Sequence, residues 1–195
     1  MIILIDNGHG KGVHGKASPD GTVQEWQYTR GLAKDIVDTL TAMGYDARLT
    51  TPEEWDLPVS ERIPRINSIC REKGAAKVIS VSIHLNASGN GAYWGKPRGW
   101  QVHVAPKCFQ TSKDLATCLA DAAHRSGLTV RKPAPSVPYW TQDLAICRGT
   151  MCASVLTENL FMDNRDDAAL LLGKGRQAII DTHVTGIIDY INSTR

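Results

Sequence analysis

Apolar residues recur along this chain in two rhythms. Short apolar runs at Ile2–Ile5, Asp46–Leu49, Lys77–Ile83, Trp100–Ala105, Leu144–Cys147 and Ser154–Thr157 read as strands. Between them lie longer stretches in which apolar side chains return every three or four positions, the spacing of one buried helix stripe. Strands alternating with helices predict a single α/β domain: a mostly parallel, twisted sheet of about six strands with helices on both faces.

Leu32, Ile36 and Leu40, with Ala33 and Val37 beside them, predict a helix of about twenty residues between the first two strands, closed by Gly44. Arg62 to Lys73 reads as a second helix ended by Gly74, with Pro64 required in or near its first turn. Ser112 to Ser126 is a third, turning Leu115, Leu119 and Ala122 inward. Ile180, Val184, Ile187 (or Ile188) and Ile191 line a last helix that runs to the terminus. Asn86 to Arg98 and Thr129 to Gln142 follow neither rhythm and read as ordered surface loops. Their aromatics, Tyr93, Trp94, Tyr139 and Trp140, are either groove walls or lid residues packed on the core.

The length, 195 residues, is that of one compact domain. Hydrophobic residues at 42% and charged residues at 22% exclude a disordered chain. Twenty-two basic against 20 acidic side chains leave a formal charge of +2, so bulk electrostatics predict neither nucleic acid nor an anionic membrane as partner. No apolar run reaches the ~18–20 residues that span a bilayer. The N-terminus lacks the basic region and cleavage site of an export signal. Five cysteines (Cys70, Cys108, Cys118, Cys147 and Cys152), odd in number and without a C-x-x-C pair, argue against a disulfide framework or a cysteine-rich zinc site.

Two histidines carry the candidate chemistry. His9 stands between two glycines just past the first strand, and His84 ends the strand that starts at Lys77. In a parallel sheet the C-terminal strand ends share one edge, where open α/β folds place their ligands. A catalytic zinc takes three protein ligands, and Glu25, opening the first helix on that same edge, is the best third. The alternative role for Glu25 is to complement the helix dipole. Glu158 follows an apolar strand, where a carboxylate needs a partner. It could exchange protons with a metal-activated water, or form a salt bridge to Arg148 or Arg165. His14 could approach the site or be a solvated loop residue, and His103, His124 and His183 read as structural. Gly8-His9-Gly10-Lys11-Gly12 lacks the spacing of a phosphate-binding loop.

These motifs, in this order, resemble the zinc-dependent N-acetylmuramoyl-L-alanine amidases of the type 3 family, over nearly the whole chain. Asp6-Asn7-Gly8-His9-Gly10 resembles the family's opening Asp-x-Gly-His-Gly, and Glu25 stands where the family has its metal glutamate. Ser82-Ile83-His84-Leu85-Asn86-Ala87 resembles Ser-hydrophobic-His-x-Asn-Ala, and Glu158 to Asn164 resembles Glu-x-Gly-Phe-x-x-Asn. Arg62 and Asn67 fit the Arg-x4-Asn spacing of the second helix. Leu160 departs from the usual glycine, Thr51 from a frequent arginine, and Asn7 from proline or alanine.

The resemblance implies His9, Glu25 and His84 as Zn2+ ligands and Glu158 as general base, with Asn86, Arg148 and Asn164 as candidate substrate-binding residues. It implies hydrolysis of the muramoyl–L-alanine amide of peptidoglycan by a monomer, acting on the cell wall as an endolysin or autolysin. A zinc peptidase cutting within the stem peptide, or a catalytically silent wall-binding domain, are the alternatives. Residues 1–195 are expected to form one catalytic domain with no separate wall-binding module and an open site free of an autoinhibitory helix. Without an export signal the chain would be made in the cytoplasm and reach the wall by another route, or be a catalytic domain lacking its leader.

Overall fold

Residues 1–194 are described by the computed structural model. In chain order the elements are β1 (Ile2–Asn7), α1 (Glu25–Ala42), β2 (Asp46–Leu49), α2 (Val59–Lys73), β3 (Val78–Asn86), β4 (Gln101–Val104) and α3 (Gln110–Arg125). They continue with β5 (Trp140–Thr141), α4 (Ala145–Gly149), β6 (Ala153–Phe161), α5 (Arg165–Leu172) and α6 (Gly175–Ser193). The strands form one sheet in the order β2-β1-β3-β6-β4-β5. Every pairing is parallel except β4 against β6.

Alternation along the strands sorts the core into two layers. Ile3, Ile5, Ile79, Val81, Ile83 and Val155 face α1, α3 and α6, whose Ile36, Leu115 and Ile187 are fully buried. Ile2, Leu4, Val78 and Leu156 face α2 and α4, meeting Ile66, Cys70, Ile146 and Cys147. Each large apolar side chain among these contributes about 1.5–3 kcal/mol by leaving water. This second layer turns polar towards the C-terminal strand ends, where Asp6, Ser82, His84 and Glu158 lie.

Several boundaries differ from the sequence reading, for physical reasons. Leu144–Cys147 is not a strand: it enters the short helix α4, because a four-residue apolar run is too short to reveal its period. The helix α2 starts at Val59, so Pro64 lies inside it; the missing N–H leaves only the carbonyl of Ser60, an exposed residue, without its helical donor. Thr129 to Gln142 is not all loop, since Trp140–Thr141 pairs with β4 at the sheet edge. The unanticipated helix α5 begins at Asn164, whose Oδ1 accepts from the backbone N–H groups of Asp166 and Asp167. Gly44 closes α1 with φ +86, and all five cysteines are free.

Candidate metal centre and active site

Glu25 begins α1, His9 follows β1 and His84 lies near the end of β3, so the topology delivers all three to one sheet edge. Their ligand atoms all lie within 4.8 Å of one another. Glu25 Oε1 is 3.2 Å from His84 Nδ1, and Glu25 Oε2 is 3.6 Å from His9 Nε2. The imidazole rings meet edge to face with centroids 5.3 Å apart. Gly8 is required by that approach, since a Cβ there would sit 2.6 Å from the His84 ring.

The turn that carries His9 is clamped. His9 itself has φ +52, a left-handed conformation that a non-glycine residue holds only at a cost of about 1–3 kcal/mol. Three successive carbonyls accept side-chain donors: Asn7 from Arg62, Gly8 from Thr29 at 3.0 Å, and His9 from Arg30 at 2.6 Å. Arg62 also donates to Asp6 at 3.2 Å, and Ser82 donates to the other Asp6 oxygen at 2.6 Å.

The electrostatics follow from burial against contact. Burial lowers the His9 imidazole below its ordinary value, more than the Glu25 charge raises it. Burial also opposes charge on His84, but its contact with Glu25 prevails and holds it above the ordinary histidine value. Burial pushes the Glu25 carboxyl up, yet the His84 hydrogen bond, both histidine charges and the Leu85 N–H keep it below the usual range. Glu25 is 1% exposed while the His9 and His84 side chains reach 26% and 18%, so one side of the cluster opens to solvent.

This donor set fits a metal ion. Two imidazoles and one carboxylate are a common catalytic zinc combination, and tetrahedral bonds of about 2.0–2.2 Å require donors a little over 3 Å apart. Glu25 Oε2 is buried with no hydrogen-bond partner, an acceptor that a cation would satisfy.

Glu158 is the register partner of His84 on the adjacent parallel strand. Its Oε2 is buried without a partner. Burial pushes its carboxyl up to about 7, against the His84 charge and with some help from the Glu25 charge. Neither suggested salt-bridge partner reaches it: Arg148 pairs with Asp143, and the Arg165 guanidinium stacks on Trp94 at 4.6 Å. A carboxyl with that pKa can take and return a proton near neutral pH.

The remaining expected residues fall in different places. Asn86 ends β3 two positions after His84 and shares its face of the strand. Arg148 is exposed on α4 and occupied by Asp143. Asn164 is fully used by the fold: besides capping α5, its Nδ2 donates to the carbonyls of Gly95 and Lys96 at 3.1 and 3.2 Å. His14 is exposed and outside the His–Glu–His group, and His183 is fully buried on α6. Sequence reasoning missed Thr29 and Arg30, although Thr29 interrupts the apolar stripe of α1 one turn after Glu25.

A family profile described as N-acetylmuramoyl-L-alanine amidase matches residues 3–189. The chain belongs to this amidase family. An endolysin of Bacillus phage SPP1 is 28% identical over 193 residues, or 98% of this chain and 66% of its own length. The N-acetylmuramoyl-L-alanine amidase AmiC of Neisseria meningitidis serogroup B is 24% identical, over 99% of this chain and 53% of its own length. The amidase-family chain thus spans less than two thirds of either relative. Among solved structures, the N-acetylmuramoyl-L-alanine amidase from Clostridium difficile 630 has a TM-score of 0.82 at 19% identity, covering 100% of this chain and 98% of that one. The catalytic domain of an endolysin targeting Clostridia difficile has a TM-score of 0.72 at 26% identity, covering 97% of each chain. The six-stranded α/β architecture is therefore the fold of known members of this amidase family.

Proposed function

We propose that this chain is a zinc-dependent peptidoglycan hydrolase that cleaves the amide between the lactyl group of N-acetylmuramic acid and L-alanine. The observation that carries the reading is a His–Glu–His donor set beside a half-buried carboxylate on the next strand, one of whose oxygens is buried without a partner. His9, Glu25 and His84 would hold the ion, which when bound acidifies water and polarises a carbonyl.

Glu158 performs both proton transfers. As a carboxylate it accepts a proton from the attacking water while the water oxygen bonds to the scissile carbonyl carbon. As a carboxylic acid it gives that proton to the alanine nitrogen as the C–N bond breaks. Its burial suits both duties, because desolvation raises the carboxyl above an ordinary glutamate and narrows the gap between its two forms. Arg30, Thr29 and Arg62 hold the His9 turn in place during the cycle. The chain acts as one catalytic unit and as a monomer, on the cell wall outside the cytoplasm.

The test is digestion of purified sacculi before chelation, after chelation and after zinc is restored. Intact stem peptides with free L-alanine amines, released only when metal is present, are expected in the mass spectrum. Full activity without metal would overturn the zinc reading. Fragments cut within the stem would assign the chain to the peptidases instead.

A further inference from the structure

Lys16 lies in the loop between the His9 turn and α1, and the start of α1 fixes its backbone. Ala17 and Gln24 form an antiparallel bridge. On either side of it, Glu25 N–H donates to the Lys16 carbonyl at 2.9 Å and Ser18 N–H donates to the Val23 carbonyl at 2.8 Å. That pattern sets Lys16 directly opposite Glu25, and residues directly opposite on an antiparallel pair turn their side chains to one face. On its other flank the segment meets the loop after β3. A Cβ on Gly91 would sit 2.8 Å from the Ala17 carbonyl oxygen, and one on Gly15 would sit 3.3 Å from that of Asn90.

The Lys16 side chain is half-buried and has no ion-pair partner among the described residues. Its charge still bears on both flanks of the site: beside the larger effect of burial, it favours the less protonated forms of His9 and of Glu158. The neighbouring cations are committed elsewhere. Arg30 holds the His9 and Glu53 carbonyls, and Arg62 holds Asp6 and the Asn7 and Leu57 carbonyls. Lys16 thus brings an unmatched positive charge to the rim of the metal centre.

We propose that Lys16 reads the charge of the stem peptide: its ammonium pairs with the free α-carboxylate of the second stem residue, a D-glutamate joined through its γ-carboxyl, and so favours stems in which that group is not amidated. The inference rests on the amidase reading and deepens it. Substrate chemistry points to that group. The first stem residue, alanine, brings only a methyl group beside the scissile amide. The first formal charge along the stem is the carboxylate on the next Cα, one step of ~3.8 Å beyond the alanine Cα and within the span of a lysine side chain. A carboxylate approaching Glu25 and Glu158 meets two like charges. A divalent ion between them offsets both, and the net attraction for the anion is left to Lys16.

The test uses zinc-loaded protein and three muramoyl tripeptides ending in L-lysine. One has the D-glutamate α-carboxyl free, one has it amidated, and one has it free with the C-terminal carboxyl amidated instead. The readouts are the ratio of kcat/KM between substrates and calorimetric binding of the corresponding free tripeptides. The wild type should favour the free α-carboxylate by ~5-fold, through KM. That preference should shrink as salt is raised to about 1 M, where the Debye length is ~3 Å. Amidating the C-terminus should change neither readout. Lys16→Gln should bring the ratio to ~1 and Lys16→Arg should keep the preference, both with wild-type zinc content and melting point. A wild type indifferent to the α-carboxylate, an equal loss on all substrates in Lys16→Gln, or a preference that follows the C-terminal carboxyl overturns the pairing and leaves the amidase reading intact. Lys16-dependent binding of the free tripeptide without cleavage of any muramoyl amide overturns the amidase reading and keeps the carboxylate site. Neither binding nor cleavage overturns both.

Discussion

Glu25 Oε1 lies 3.2 Å from His84 Nδ1 although 59 positions of sequence separate the two residues. The same oxygen accepts the backbone N–H of Leu85 at 3.1 Å, so the first turn of α1 is fastened to the end of β3. The other oxygen, Oε2, has no hydrogen-bond partner. One half of the carboxylate thus positions the site, and the other half is free for an ion.

Replacing Glu25 separates these two duties. Glu25→Gln retains an oxygen for Leu85 but loses the negative charge, and its zinc affinity should fall by at least ~100-fold while the fold persists. Glu25→Ala should lose both zinc and several degrees of melting temperature. Competition with a chromophoric chelator and a melting curve measure the two effects. Equal zinc affinity in Glu25→Gln would remove Glu25 from the ligand set.

Glu158→Gln should keep its zinc and lose kcat by ~10²–10⁴-fold, the usual contribution of a general acid–base group. His84→Ala should lose metal and turnover together. Metal analysis beside a turnover assay distinguishes the two classes. Near-wild-type turnover in Glu158→Gln would show that another group moves the proton.

The metal-free protein should respond to pH through two buried groups of opposite sign. Burial lowers His183 to about 4, so the unfolded chain takes up a proton near 6.5 that the folded chain refuses. Its stability contribution is whole above 6.5 and is lost as pH falls from 6.5 towards 4, by at most ~1.4 kcal/mol per pH unit. Glu158 works the other way: its carboxyl, raised to about 7 chiefly by burial, makes the folded state more stable as pH falls from 7 towards 4.5. Denaturant titrations should therefore show a steeper acid loss in Glu158→Gln than in wild type, and a shallower one in His183→Gln. Identical slopes in all three would contradict both assignments. In the zinc-loaded enzyme the nearby positive charge should move the Glu158 titration, and the acid limb of kcat/KM with it, below 7.

Arg30 touches no proposed ligand atom, yet it should matter to metal binding. It donates to the His9 carbonyl at 2.6 Å and to the Glu53 carbonyl at 2.8 Å, holding a turn whose φ of +52 is strained. Arg30→Ala should weaken zinc by ~10–100-fold, as loss of a support behind a ligand does. Chelator competition measures it. Unchanged affinity would mean that Thr29 and Arg62 alone suffice to hold the turn.

The parts of this architecture legible in the sequence are those governed by period and by shared edges. The stripe Leu32–Ile36–Leu40 announces α1, and parallel strands oblige His9 and His84 to emerge on one side. The run Leu144–Cys147 carries no such period, so helix and strand look alike there. The place of Asn164 in a motif suggests the substrate, whereas the acids at Asp166 and Asp167 just after it mark a helix start. Leu160, the departure from a usual glycine, has φ +71 beside the register shift between β3 and β6, a backbone state that explains the glycine. The clamps on the His9 turn are invisible in the sequence, because each joins residues brought together only by the folded sheet.

The turn between His9 and Glu25 is anchored at both ends and closes on itself in between. Lys11 N–H meets the Glu54 carbonyl at 2.8 Å, Glu25 N–H meets the Lys16 carbonyl at 2.9 Å, and Ser18 N–H reaches the Val23 carbonyl at 2.8 Å. Residues 19–22 therefore form a small detour whose ends stay put whatever its length. A longer or recoloured excursion could be spliced in there, to touch a different wall polymer or to carry a label, without shifting either side chain that it separates.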